Sequence, residues 1–469
     1  MKFNQLFMAL LGIVVYQTSF AQSPPNTPEP MPKIALPVIT TDDTPTTTTP
    51  QTHAMPETDD LQQALDKAIL DKDEQIITQL LPLYQSQPNP DPITLQYARA
   101  VIFEKQGDLK GAIAIYRKIL ADNPELTPIR FELAKVLFDD KQNANAKAQF
   151  EKVKSDNPPA FVQELSDLFL TALRKRGKST LNFSLNYLND NNVNNATHDR
   201  NIADTPFIKS DSMLPQSAHG ISYGLTAQKD VNVTGNHYLS LGNELFGKYY
   251  WDNHDYNDLI NRTSAGYVYQ DDKSRMAVLP FYEFRSYANQ SYKDAWGVRT
   301  EYARWLNPRH QTSVAFEYAD NRYQDYHSLD GDSYLLSLTH IWLVNPKRYV
   351  YAGADISQDN AAARHHAYHY KALRVGMGQE WQKGISSRVG LTFGRRDYQD
   401  TAIIGDIIPL TVVRSDDELG VSLSLWKRDW HIWGITPRLN YQYKKVDSNI
   451  PSMYSTNKNQ VYLSFEKSF

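Results

Sequence analysis

From residue 177 onward, apolar and polar residues alternate with a period of two. Successive side chains of a strand point to opposite faces, so this pattern gives each strand one apolar and one polar side. Leu419, Val421, Leu423 and Leu425 alternate with Glu418, Gly420, Ser422 and Ser424. Val389, Leu391 and Phe393 alternate with Arg388, Gly390, Thr392 and Gly394, and Leu439, Tyr441 and Tyr443 with Arg438, Asn440 and Gln442. Segment 276–285 is mixed: Met276, Val278, Tyr282 and Phe284 share one face, while Leu279 and Phe281 fall on the other with Glu283 and Arg285. Pro280 has no amide to donate to a ladder, so a local break or bulge is expected there.

Strands of this kind build either a soluble sandwich, with the apolar face inside, or a membrane barrel, with that face against lipid. Three features favour the barrel. Charged residues such as Arg388 and Glu418 share the polar face with Gly and Ser, as in a hydrated lumen. The segments reach roughly the 10 residues that a tilted strand needs to cross a bilayer. Polar stretches, 189–216 and 320–332 among them, separate the segments as loops. About 14 strands are expected, an even number as in bacterial single-chain barrels. They begin near Thr180, Ile221, His237, Asn257, Ser274, Ala295, Gln311, Tyr334, Arg348, Tyr368, Ser386, Asp417, Ile432 and Gln460. Val461, Leu463 and Phe465 alternate toward Phe469, an aromatic placed like the signal by which outer-membrane barrels are recognised for assembly. The 29 Tyr and 8 Trp suit aromatic girdles, although they also suit a sugar-binding β-protein.

The preceding region, 59–176, is helical and repeats at a period of 34, the tetratricopeptide (TPR) spacing. Ala100, Phe103, Gly107, Ala112, Tyr116, Ile119 and Pro124 recur as Ala134, Leu137, Lys141, Ala146, Phe150, Val153 and Pro158. The alanines let paired helices approach, the large residues fill the gap, glycine permits the turn and proline ends the second helix. Lys141 replaces the turn glycine, so that turn is atypical. A degenerate unit precedes these two, and residues 161–173 form a closing helix. Tyr97, Val101, Phe131 and Lys135 fall where such arrays present a concave surface, as contact residues or as packing residues.

Residues 1–21 read as a secretory signal peptide: Lys2, an apolar run of 11 residues at 6–16, and small residues before a cleavage point. That run is shorter than the about 20 apolar residues of a membrane-crossing helix. Residues 22–58, rich in Pro and Thr, carry too little apolar surface to offset the entropy of ordering and read as a disordered linker.

The remaining chemistry is sparse. The chain has no cysteine, which excludes disulfides and thiolate chemistry. Its net charge of −4 provides no global basic field for nucleic acid. A mean hydropathy of −0.54 and the lack of a later long apolar stretch argue against helical membrane spans. Gly220-Ile221-Ser222-Tyr223-Gly224 matches the nucleophile elbow in form only, since it opens a strand with no helix to follow. His365, His366 and His369 lie in a polar loop near a strand. No cofactor, no metal and no catalysis are expected.

A signal peptide, a short TPR region and a C-terminal barrel together resemble the surface lipoprotein assembly modulators (Slam). The last third carries most of the likeness: Gly394-Arg395-Arg396-Asp397-Tyr398, the stretch 430–443 with Gly434, Thr436, Pro437 and Arg438, then Ser448-Asn449-Ile450, and the closing 461–469. Arg395, Arg396 and Asp397 are either functional or charges of lumen and loops. The resemblance implies an outer-membrane translocon that delivers client lipoproteins, or secreted haem-binding proteins, to the cell surface. The implied setting is a barrel among outer-membrane lipids, inserted by the barrel assembly machinery, with the TPR region in the periplasm holding the client. A polysaccharide-export porin with a TPR domain is the alternative.

Overall fold

The computed structural model describes residues 58–202, 205–404, 408–430 and 435–468. The expected signal peptide, nearly all of the Pro/Thr-rich linker and Phe469 lie outside them. Two compact units divide between Ile129 and Arg130.

The first unit contains α1 (Thr58–Leu70), α2 (Glu74–Gln85), α3 (Pro92–Lys105) and α4 (Leu109–Asp122). The turn expected from the repeat is present: Gly107 takes φ +71°, a left-handed conformation that glycine adopts without steric cost. Ala100, Ala112, Tyr116 and Ile119 are buried as the spacing requires. Leu61, Leu65, Ile77 and Tyr84 of the degenerate unit join Ala98 and Val101 in one core. Asp91 caps α3, accepting hydrogen bonds from the amides of Ile93 and Thr94.

The boundary falls within α5 (Thr127–Asp139), and the second unit continues with α6 (Asn143–Ser155) and α7 (Ala160–Arg176). Lys141 occupies the turn at φ +63°, nearly the conformation of Gly107. Ala134, Leu137, Ala146, Phe150 and Val153 are buried, again in accord with the repeat. Phe169 of α7 stacks on Phe150 with ring centroids 4.9 Å apart, which closes the helical layer.

Fourteen antiparallel strands follow and close into a barrel in which β1 meets β14. They are β1 (Thr180–Asp190), β2 (Ala218–Thr234), β3 (His237–Tyr250), β4 (Asp258–Gln270), β5 (Ser274–Tyr287), β6 (Gln290–Asn307) and β7 (His310–Tyr323). The others are β8 (Gly331–Asn345), β9 (Arg348–Ala361), β10 (Tyr368–Glu380), β11 (Ile385–Ile404), β12 (Ile408–Lys427), β13 (Thr436–Ser448) and β14 (Thr456–Ser468). Phe393, Leu423, Leu425, Leu439, Val461 and Leu463 are exposed on the outer wall, while Glu418, Asn440 and Ser464 are buried inside. Apolar-outward orientation decides against the sandwich, because such a wall is stable only against hydrocarbon. None of the described helices is long and apolar enough to cross a membrane.

Two expectations need correction, and the break expected at Pro280 is present. The stretch 320–332 is not all loop: β7 and β8 pair as far as Asn321↔Gly331, and Tyr318 donates to Asp332 across the ladder at 2.9 Å. Polar residues at a strand end remain in register once the strands pass beyond the apolar belt. β12 begins at Ile408, well before Asp417, because its apolar start pairs with β11 through Thr401↔Val413 and Ile404↔Ile408 across two register shifts. At Pro280 the ladder with β4 lapses between Ser264↔Phe281 and Tyr267↔Val278 without a register shift, and pairing with β6 continues through Pro280↔Val298. The missing donor therefore costs a local gap and no bulge.

Candidate functional site

The inner wall is built from charges held in pairs. Arg262 contacts Glu283 at 2.7 Å and Glu317 at 3.1 Å; Arg299 contacts Glu317 at 3.1 Å and Glu301 at 2.6 Å. Arg275 reaches Glu301 and Asp230, and Lys293 reaches Glu283 at 2.9 Å. These residues come from β2, β4, β5, β6 and β7, and alternation turns each one inward. A second group on the opposite arc joins Arg374 to Asp355 at 2.5 Å. Arg388 donates from Nε to the Tyr349 hydroxyl at 2.9 Å. Such a surface carries both signs of charge.

The segment Gly394–Tyr398, on β11, splits by parity. Arg395 and Asp397 face outward, paired with each other at 3.0 Å, and Arg395 also reaches Asp417 at 3.4 Å. Arg396 points inward and is buried. Its guanidinium lies over the rings of Tyr368 (4.8 Å) and Tyr370 (5.3 Å) and contacts Glu418 at 3.2 Å. Gly394 leaves room for this assembly, because a Cβ there would lie 2.4 Å from the Tyr370 hydroxyl. Tyr398 packs against Tyr368 with centroids 5.6 Å apart. Three of the five residues thus form one inward cluster, and two form a surface ion pair.

The four candidate contact residues of the helical region divide between the two units. Tyr97 is half-buried and meets the Tyr116 ring edge-on at 5.9 Å. Val101 is 0% exposed, so its role in this structure is packing and it offers no surface. In the second unit Phe131 and Lys135 come together, with the ammonium 5.7 Å from the ring and 3.1 Å from Glu132. Burial raises the Asp91 carboxyl, but hydrogen bonds from the Thr94 amide and hydroxyl and the Ile93 amide outweigh it and hold the group below its ordinary value.

Other residues singled out by type are placed plainly. Ser222 lies in β2, where its hydroxyl accepts from Asn186 at 2.9 Å. His365 and His366 share a loop with rings 4.0 Å apart, and His369 sits in β10 opposite Gln358 and Asp397.

A contact not visible in the sequence ties α5 and α6 to the barrel within the second unit. Asn236, in the turn between β2 and β3, donates to the Asp140 carbonyl at 2.5 Å. Tyr238 donates to the Lys141 carbonyl, and the Asn232 side-chain oxygen accepts from the Ala144 amide at 2.7 Å. Arg176 stacks on Phe138 at 3.5 Å and donates to its carbonyl at 2.8 Å. Lysine at a glycine position was the one local sign of this junction.

Fold and wall together define a membrane-spanning barrel of the outer-membrane type, carrying TPR-like helices ahead of its first strand. Residues 180–469 match the family described as surface lipoprotein assembly modifier, and residues 49–150 match the N-terminal TPR repeats of that description. The chain belongs to the surface lipoprotein assembly modifier family. Surface lipoprotein assembly modifier 1 of Haemophilus influenzae is 34% identical over 410 residues, covering 86% of this chain and 83% of its own. The surface lipoprotein assembly modifier of Pasteurella multocida is 34% identical over 427 residues, covering 87% and 82%. The hemophilin secretion modulator of Acinetobacter baumannii is 25% identical over 434 residues, covering 87% and 86%. Among solved structures, the outer membrane channel DcaP of Acinetobacter baumannii aligns over 62% of this chain and 96% of its own, with 12% identity and a TM-score of 0.35.

Proposed function

We propose that this protein delivers a client, a surface lipoprotein or a related secreted protein, from the periplasm to the cell surface. In this reading the helices engage the client and the barrel provides its path. The names of the relatives support the client class. The carrying observation is the barrel itself: an apolar outer wall around an inner wall of paired charges, which suits passage of a polar chain. The short turns and the helices face the periplasm, and the longer loops face outward.

A photocrosslinking residue at Tyr97, Phe131 or Lys135 is expected to capture the client in intact cells, whereas one at Val101, enclosed in its core, is not. Removing residues 59–176 is expected to abolish both capture and display. Unchanged client display after that deletion, with no crosslink at any of the three positions, would refute the role of the helices.

A further inference from the structure

The barrel is closed unevenly. β1 and β14 pair only from Asn182↔Ser468 to Asn186↔Ser464, five pairs. Every other neighbouring pair carries eleven or more. Both strands continue past that short ladder. β1 stays on β2 as far as Asp190↔Ala218, and β14 is on β13 from Val446↔Thr456. Among the described residues, 187–190 and 456–463 therefore have a ladder on one edge only. Thr180 and Leu181 also pair with β2 alone; the longer one-edged stretches lie toward the loop rim, while the ladder from Asn182 to Asn186 zips the turn side.

Unpaired backbone is strongly disfavoured in hydrocarbon and is tolerated where protein or water covers it. Side chains and loops supply that cover. On the lumen side, Lys458 bridges the gap to Asp190 at 2.6 Å and to the Asn192 carbonyl at 3.2 Å. At the rim, the loops that flank the seam, 191–217 and 449–455, are fastened to each other across it. Thr197 donates to the Ser452 carbonyl at 2.5 Å, and Lys209 donates to the Thr197 hydroxyl at 2.6 Å and also to the Ser452 carbonyl. Ile202 and Met213 pack with Ile450 and Met453 in one small core. On the outer wall, Tyr187, Val461 and Leu463 are exposed beside the gap. Lumen charge, latch and apolar wall thus follow one another across the seam.

Side-chain contacts can release and re-form without breaking a strand ladder. At any other seam, opening would break at least eleven backbone pairs. A client with acyl chains on one end also faces a problem that an axial pore does not solve: its polar chain leaves through water, while its lipid must reach the outer leaflet. We propose that the loop-rim half of the β1–β14 seam is a lateral exit through which a lipid-bearing polypeptide passes its acyl chains from lumen to outer leaflet, gated by Lys458–Asp190 and the loop clasp. The zipped half keeps the barrel closed meanwhile. This rests on the delivery function proposed above.

The chain has no cysteine, so introduced pairs report on themselves alone. Continuing the observed register sets Asn189 opposite Val461; Leu185 already pairs with Phe465. In cells making the full chain and a lipoprotein client, Asn189→Cys with Val461→Cys is joined by oxidation, or by a short bismaleimide where no disulfide forms. Protease shaving should then show loss of client display, restored by reductant for the disulfide. Leu185→Cys with Phe465→Cys, oxidised, should display as the unmodified protein does. Display through the barrel locked at 189 and 461, or equal loss from both pairs, would overturn the exit. Spin labels at the same pairs in purified protein provide a readout that needs no client: a broad distance distribution at 189 and 461 and a narrow one at 185 and 465. Two equally narrow distributions would overturn the gate. A broad outer pair in a protein that displays no client would leave the gate standing and overturn the delivery function.

Discussion

At position 396 an arginine is enclosed by the rings of Tyr368 and Tyr370 and by the Glu418 carboxylate. Removing the guanidinium leaves the Glu418 carboxylate to Lys444 alone, 3.2 Å away, so the change should cost less than the about 3–5 kcal/mol of a fully unpaired buried charge. Arg396→Ala is expected to lower stability in detergent by up to that order, and adding Glu418→Gln to lower it further, since Lys444 then loses its carboxylate. Equal midpoints for the single and double variants would show that the pair is not what holds the cluster. Resemblance brought the Gly394–Tyr398 segment to attention, and parity alone divides it into inward and outward residues. The reason for its glycine was not legible, because Tyr370 lies on the neighbouring strand and meets Gly394 only through the register Ala372↔Gly394.

In the helical elements the period of 34 located both turns and most of the buried positions, since tight helix pairing constrains residue size locally. Asp91 tests one helix end. Losing a carboxylate cap costs about 0.5–2 kcal/mol, so Asp91→Ala should quicken amide exchange in α3 by up to about thirtyfold. The carboxyl is held below its ordinary value, so its contribution is full above about pH 4 and is lost as pH falls through the lower folded value. Exchange in α3 of the unaltered protein should therefore accelerate on acidification more than in Asp91→Ala; parallel pH profiles would contradict the cap. At Lys141 the left-handed backbone costs a side-chain-bearing residue roughly 1–2 kcal/mol. Lys141→Gly should relieve it and slow exchange in α5 and α6, because the Tyr238 hydrogen bond is to the backbone carbonyl and survives. Faster exchange would mean that the lysine side chain itself secures the turn. Sequence flagged this turn as unusual but not why, since the partner hydroxyl is nearly a hundred residues away.

At the scale of the whole molecule, alternation of period two carried the architecture, because an apolar face on every strand has few places to go. The strand number followed from the segments; the boundaries moved where polar strand ends extend beyond the apolar belt, as at Asn321↔Gly331, and where register shifts carry β11 and β12 further, as at Ile404↔Ile408. The seam was not legible: β1 and β14 alternate like their neighbours, and the loss of pairing between Tyr187–Asp190 and β14 depends on how the sheet closes. Lys458 and Asp190, 268 residues apart, give no local signal either. The same holds for the clasp of loops above them, whose members come from opposite ends of the barrel sequence. The proposed function rests on one claim, that the barrel moves a protein to the surface. Protease shaving of intact cells, with and without this protein, tests it on candidate lipoproteins made in the same cells. The account predicts that one of them becomes accessible only when the protein is present, at constant total amount; equal accessibility of every candidate in both strains would contradict it.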